Sequence, residues 1–168
     1  MSHELSHGLL NPMKVSSILN EDLVRVNLAG DTKEEVINNI IDLLAHSNKV
    51  KDLEKVRQAI FERERIMSTG VGKGFAIPHG KTDAVSDIVA AFAVTEKPID
   101  YESLDHEPIR LLFLLVGKDS LVGAHIKLLS RISRLMNKEE LRKRLLQAKS
   151  SSEILEILRE EEMSYLDV

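Results

Sequence analysis

Ile88-Val-Ala-Ala-Phe-Ala-Val94 and Leu111-Leu-Phe-Leu-Leu-Val116 are two short runs without a polar residue in either. A strand with one face in water alternates apolar and polar positions, so runs like these predict strands covered on both faces at the centre of a sheet. Upstream, Leu23 to Leu28 alternates as a further strand. Asp31 with Glu34 reads as a capping box opening a helix that carries Val36, Ile40, Ile41, Leu43 and Leu44. A second helix runs from Asp52 to Ile66 with Leu53, Val56, Ile60 and Phe61 inward, and Phe75 to Ile77 follows as a short strand. Between the two apolar runs, Thr95 to Pro108 is polar and holds Pro98 and Pro108, which predicts a surface excursion with a small edge strand. Downstream, helical spacing predicts helices over Ser120 to Met136 and Lys138 to Ala148. A capping box at Ser150 and Glu153 opens a last helix ending near Glu162. Strands alternating with helices predict one α/β domain over 13–168, with a mixed sheet of about five strands flanked by helices on both sides. Residues 1–12, with His3 and His7, lack periodicity and read as a loose N-terminal tail.

Composition narrows the function. The 168 residues hold 4% aromatics and no Trp, so the core is aliphatic and stacking platforms for single-stranded nucleic acid or sugars are disfavoured. Lys and Arg number 23 against 27 Asp and Glu, a net charge of -4 that argues against polyanion binding as the main function. The absence of cysteine excludes disulfides, thiolate metal sites and a cysteine nucleophile. No signal peptide or bilayer-spanning run is evident, and the reading is of a cytoplasmic protein without membrane insertion.

Chemistry concentrates in Ser68-Thr-Gly-Val-Gly-Lys-Gly-Phe-Ala-Ile-Pro-His-Gly80. Pro78 fixes its own φ and Gly80 is permissive, so the chain is free to turn sharply around His79 and present its imidazole in a cleft; a glycine-rich turn with an incidental histidine fits the spacing equally. The glycines precede a strand rather than a helix, which defeats both the Walker and the dinucleotide patterns. A neutral imidazole is a good nucleophile toward phosphorus once its second nitrogen is held as a donor. Arg63 stands where its guanidinium could take a phosphoryl group bidentately, though within Glu62-Arg63-Glu64-Arg65 it also reads as a solvated charge. His125 lies near a helix N-terminus that would stabilise an anion, and equally reads as a packing histidine. A metal site from His79, His125 and a carboxylate lacks a clear third ligand. A basic stripe through Arg131, Arg134 and Lys138 reads as a solvated helix face before a nucleic-acid surface.

Together, Arg63 to Gly80, Pro98 to Asp105, Leu111 to Val116 and Ala124 to Leu135 resemble the fructose/mannitol/nitrogen-regulatory enzyme IIA domains (EIIA type 2) of the bacterial phosphoenolpyruvate-dependent sugar phosphotransferase system. The resemblance runs from Met13 to about Glu160. It implies that His79 is the phosphorylated histidine, at Nε2, that His125 is the second active-site histidine, and that Arg63 is their cationic partner. It implies a phosphocarrier that needs no cofactor or metal, accepts phosphate from HPr or its nitrogen-branch counterpart, and passes it to an enzyme IIB cysteine on a separate polypeptide. The alternative within the family is a regulatory protein whose phosphorylation state selects its binding targets. Lys73 stands where many such domains have Asn.

Overall fold

Six strands form one mixed sheet: β1 (Val24–Leu28), β2 (Gly70–Gly72), β3 (Phe75–Ala76), β4 (His79–Lys81), β5 (Val89–Ile99) and β6 (Ile109–Gly117). The computed structural model describes residues 14–166, so the tail read over 1–12 lies outside the described residues. The two apolar runs pair antiparallel at the centre, from Val89 opposite Val116 to Ile99 opposite Ile109, and Phe92 meets Phe113 edge-on with ring centroids 5.4 Å apart. β1 lies parallel to β5 on one side. On the other side of β6 the order continues to β3 and β2, with β4 on the same edge of β6.

Among the described residues five α-helices complete the fold: α1 (Lys33–Leu43), α2 (Leu53–Ile66), α3 (Val122–Met136), α4 (Glu139–Gln147) and α5 (Ser151–Leu166). α1 packs on α2, α3 on α4 and α4 on α5. α1 on one hand and α3 and α4 on the other all touch β6, whose side chains are buried in both directions, so helices cover both faces of the sheet. Side-chain caps open α1, α2 and α5, whereas α3 and α4 have none. Asp52 accepts from the backbone N–H groups of Glu54 and Lys55, and Ser150 and Glu153 form the reciprocal pair read in the sequence. α5 runs past Glu162, which is fully buried and accepts from the backbone N–H groups of Val15 and Ser16 at 2.6 and 2.8 Å.

Three details depart from the sequence reading. The cap of α1 is shifted by one residue: Thr32 accepts from Glu35 N–H while the Glu35 carboxylate accepts from Asp31 N–H, because the Asp31 side chain is taken by Lys97. The sheet has six strands rather than five, since the glycine stretch itself pairs with β3 and His79 begins a strand of its own. The segment after Val94 leaves the sheet later than expected: Thr95 to Ile99 belongs to the long central strand, and only 100–108 is a surface excursion, exposed throughout 104–108. β5 continues through a register shift to Ile99, where Arg110 binds the Thr95 carbonyl from Nε (3.2 Å) and Nη2 (2.8 Å), and Tyr101 beyond it is fully buried. The guanidinium thus bonds backbone at the place where the β5–β6 register shifts.

Candidate active site

From Phe75 to Lys81 the chain runs parallel to β6 in one continuous register, Phe75 opposite Leu111 and His79 opposite Leu115. Only Pro78, which has no N–H to donate, interrupts the ladder, and its carbonyl still accepts from Leu115 N–H at 3.1 Å. The sharp turn expected around His79 is therefore absent. Gly80 does not adopt a positive φ; it is needed because a Cβ there would lie 3.2 Å from the backbone of Ala59 in α2. The glycine lets α2 pack directly against the strand that carries His79.

The two-residue loop joining β2 and β3 is Lys73-Gly74, with φ of 60° and 83°. Two positive φ values in that position form a tight hairpin whose twist suits the flanking strands. The glycine stretch is thus a hairpin and not a phosphate cradle. Lys73 donates from its backbone to Asp105 at 3.0 Å and from Nζ to Asn137 at 2.9 Å.

His79 is half-buried, with Nδ1 2.8 Å from the Ile77 carbonyl oxygen. A carbonyl can only accept, so Nδ1 carries the proton and Nε2 presents its lone pair. Burial lowers the pKa of the ring, the Arg63 charge adds to that, and the Ile77 hydrogen bond and Glu64 act against it. The result is a neutral imidazole of fixed tautomer with Nε2 free, the form that attacks phosphorus.

His125 stands in the first turns of α3, its ring centroid 5.8 Å from that of His79. It is only 4% exposed, and its Nδ1 has no hydrogen-bond partner. That nitrogen packs on Gly117, where a Cβ would come within 2.3 Å of it. Buried N–H groups are seldom left without an acceptor, so the favoured tautomer keeps Nδ1 as a lone pair and places the proton on Nε2, away from Gly117. Burial first, then the nearby His79 and Lys81, lower its pKa to about 4, and the ring is neutral at physiological pH. Arg63, in the last turn of α2, donates from Nη1 to the Met67 carbonyl at 3.1 Å, and its charge is felt at His79. The structure thus brings the two histidines side by side and Arg63 within electrostatic reach of His79.

Sequence reasoning passed over Glu64. It is 7% exposed, and Thr69 donates to it from N–H (2.8 Å) and from Oγ1 (2.6 Å). Lys33 Nζ lies 3.0 Å from its Oε2, and Tyr101 donates to Oε1 at 3.4 Å. The signal was present: Val56, Ile60 and Glu64 are the buried positions of α2, so Glu64 continues the inward stripe four residues beyond Ile60.

Among the described residues, no group of three or more His, Asp or Glu stands close enough to share a metal ion. On the basic stripe and its continuation, Lys138 pairs with Glu161 and Arg144 with Glu160, both at 2.8 Å, so α5 supplies the counter-charges. Apolar side chains are exposed on the segments that build the site: Ile66 and Met67 after Arg63, Val71 in β2, and Val122 and Ile126 beside His125. Val71 is 49% exposed, whereas Phe75 is 2% exposed and belongs to the core. No described helix is long and apolar enough to cross a membrane.

The chain belongs to the EIIA 2 family of the phosphoenolpyruvate-dependent sugar phosphotransferase system, whose model matches residues 17–161. Over 146 residues it is 37% identical to the fructose-specific EIIABC component of Bacillus subtilis, a match covering 87% of this chain and 23% of that protein. The chain therefore spans less than a quarter of that relative's length. It is 36% identical to the fructose-specific EIIA component of Haloferax volcanii, a match covering 87% of this chain and 95% of that protein. In structure it resembles the nitrogen regulatory protein IIA-Ntr of Neisseria meningitidis, with a TM-score of 0.80 at 27% identity, covering 86% of this chain and 98% of that one.

Proposed function

We propose that the protein is a phosphoryl carrier in which Nε2 of His79 accepts a phosphoryl group from phosphorylated HPr or its nitrogen-branch counterpart. The observation that carries this reading is the Ile77 carbonyl on Nδ1, which leaves Nε2 free on a neutral ring beside a second neutral histidine. In the transfer, the donor's P–N bond breaks and its electron pair returns to the donor nitrogen as the Nε2 lone pair forms a new P–N bond; Nδ1 keeps its proton, donated to the Ile77 carbonyl, while that bond forms, and the resulting phosphoimidazolium then releases it to solvent. The group arrives with roughly one and a half to two negative charges. Arg63 offsets that charge, at the expense of its contact with the Met67 carbonyl, and the Nε2–H of His125 donates to a phosphoryl oxygen. Neither role requires a metal or an organic cofactor. Donor and acceptor must each bring a reactive atom within bonding distance of Nε2, so both dock on the apolar rim around Val71, Val122 and Ile126 and exclude one another.

The acceptor in this reading is the cysteine of a fructose- or mannitol-type enzyme IIB on a separate chain, and the work is done in the cytoplasm. A regulatory role, in which phosphorylation changes affinity for a target protein, is the second reading, supported by the resemblance to a nitrogen regulatory protein. Incubation with phosphoenolpyruvate, enzyme I and HPr, then with candidate IIB proteins, separates the two. Onward transfer to a IIB cysteine supports transport. Phosphorylation without transfer to any IIB, together with a phosphorylation-dependent complex with another protein, supports regulation.

A further inference from the structure

A chain of contacts leads from the buried Glu64 to the nucleophilic ring. Glu64 holds Thr69 by two hydrogen bonds, the Thr69 carbonyl accepts from Ile77 N–H at 3.1 Å, and the Ile77 carbonyl accepts from His79 Nδ1–H at 2.8 Å. Resting on the reading of His79 as the phosphoryl acceptor, we propose that Glu64 is a positioning residue: through Thr69 and Ile77 it holds the carbonyl that fixes the reactive tautomer of His79.

The surroundings of Glu64 suit that task. Its carboxylate is charged in a buried place and has four partners converging on it, Lys33, Tyr101 and both donors of Thr69. Burial and the carboxylate push the Tyr101 hydroxyl well up, so it remains a donor. Lys33 is held twice, by Glu64 and by the face of the Tyr101 ring 4.8 Å away. Such a network has one satisfied arrangement, and loss of a single member leaves buried groups unpaired. It therefore sets the height of Thr69 above α2. Ile77 precedes a proline, and its N–H is anchored only through the Thr69 carbonyl in this hairpin, so a displacement of Thr69 passes to the Ile77 carbonyl. Histidine tautomers are set by the bond that the second nitrogen makes. Without that acceptor the ring reverts to the tautomer preferred in water, with the proton on Nε2, where no lone pair remains for attack. Glu64 also sits beside Arg63 on the same turn of α2, so the same anchor fixes the helix end that carries the guanidinium.

Glu64→Gln tests the proposal, because the amide loses the ion pair with Lys33 and turns one of Thr69's two acceptors into a donor. The readout is the ¹⁵N shift pattern of the His79 ring at a pH where it is neutral. Wild type should show Nδ1–H with Nε2 unprotonated. Glu64→Gln should move population toward Nε2–H and slow phosphoryl uptake from phosphorylated HPr roughly tenfold or more. Ile154→Val, a core change in α5, supplies a variant of lowered stability with the relay intact, and should leave the tautomer unchanged. If Glu64→Gln does not fold, Thr69→Val removes the hydroxyl that bonds both Glu64 and Tyr101 and should shift the tautomer in the same direction, while Thr69→Ser should not. A folded Glu64→Gln, or Thr69→Val, with the wild-type tautomer overturns the proposal. The tautomer decides it whichever way the uptake assay falls, and failure of wild type to take up phosphate would instead overturn the carrier reading.

Discussion

Gly117→Ala should damage both stability and transfer, and the structure says by how much. A Cβ at this position lies 2.3 Å from Nδ1 of His125, 3.0 Å from its Cγ and 3.3 Å from its Cβ. Ordinary contact needs about 3.4 Å or more, so the imidazole must give way by roughly an ångström in a place where it is buried. Overpacking of this kind costs about 1–3 kcal/mol, which for a chain of this size lowers Tm by roughly 2–12 °C. Because the ring that moves is the one beside His79, a displacement of that size should also slow phosphoryl transfer by up to about a hundredfold. Chemical denaturation measures the first effect, and mass-resolved uptake from phosphorylated HPr the second. The cause is isolated by repeating Gly117→Ala in a His125→Ala background, where the two contacts with the ring are gone and only the 3.3 Å approach to Cβ remains, so the added cost should fall by about 1–3 kcal/mol. Gly123→Ala, with nothing within 4 Å of its Cβ, should be harmless. If Gly117→Ala costs the same with and without the imidazole, the packing argument for His125 is wrong.

Gly80→Ala should destabilise by about 1–3 kcal/mol, because its Cβ would press on the α2 backbone at Ala59; a crystal structure showing α2 unmoved and unchanged stability would contradict this. Lys73→Asn should raise stability by about 0.5 kcal/mol on thermal unfolding, since Asn tolerates the left-handed backbone at φ 60° better than Lys, and loss of the Lys73 contact with Asn137 at the surface takes back little. Stability should also depend on pH through His125. Its folded pKa of about 4 lies below the ordinary value of 6.5, so the unfolded chain binds the extra proton between those limits. Stability from this source is complete above pH 6.5 and is lost as pH falls toward 4, with His79 acting in the same direction. His125→Gln should flatten that slope in denaturation curves taken across the window, and an unchanged slope would show that the ring titrates normally.

The centre of the fold was legible because burial on both faces leaves a mark on every residue: Val89 to Val94 and Leu111 to Val116 had no polar position to misread. α2 was equally plain, as Asp52 is its cap and Val56 and Ile60 recur on one face. The strand at His79 was missed because Pro78 and Gly80 signal a turn in isolation. The parallel ladder to β6 overrides them, and Gly80 serves a close helix approach that only the tertiary structure reveals. The α1 cap shifted because Lys97, distant in sequence, claims Asp31. At the site, the resemblance singled out His79, His125 and Arg63, and the fold sets the two rings 5.8 Å apart. Glu64 escaped notice because a charge in an alternating charged stretch reads as solvated, although helical spacing places it inward after Ile60.

The central claim is that Nε2 of His79 takes the phosphoryl group. Isotope-labelled protein incubated with phosphoenolpyruvate, enzyme I and HPr, then studied by ¹⁵N and ³¹P NMR at alkaline pH, tests it directly. One phosphoryl group on Nε2 of His79, with no uptake by His79→Ala, is the predicted result; phosphate on Nδ1, on another residue, or on His79→Ala at the wild-type rate would contradict it.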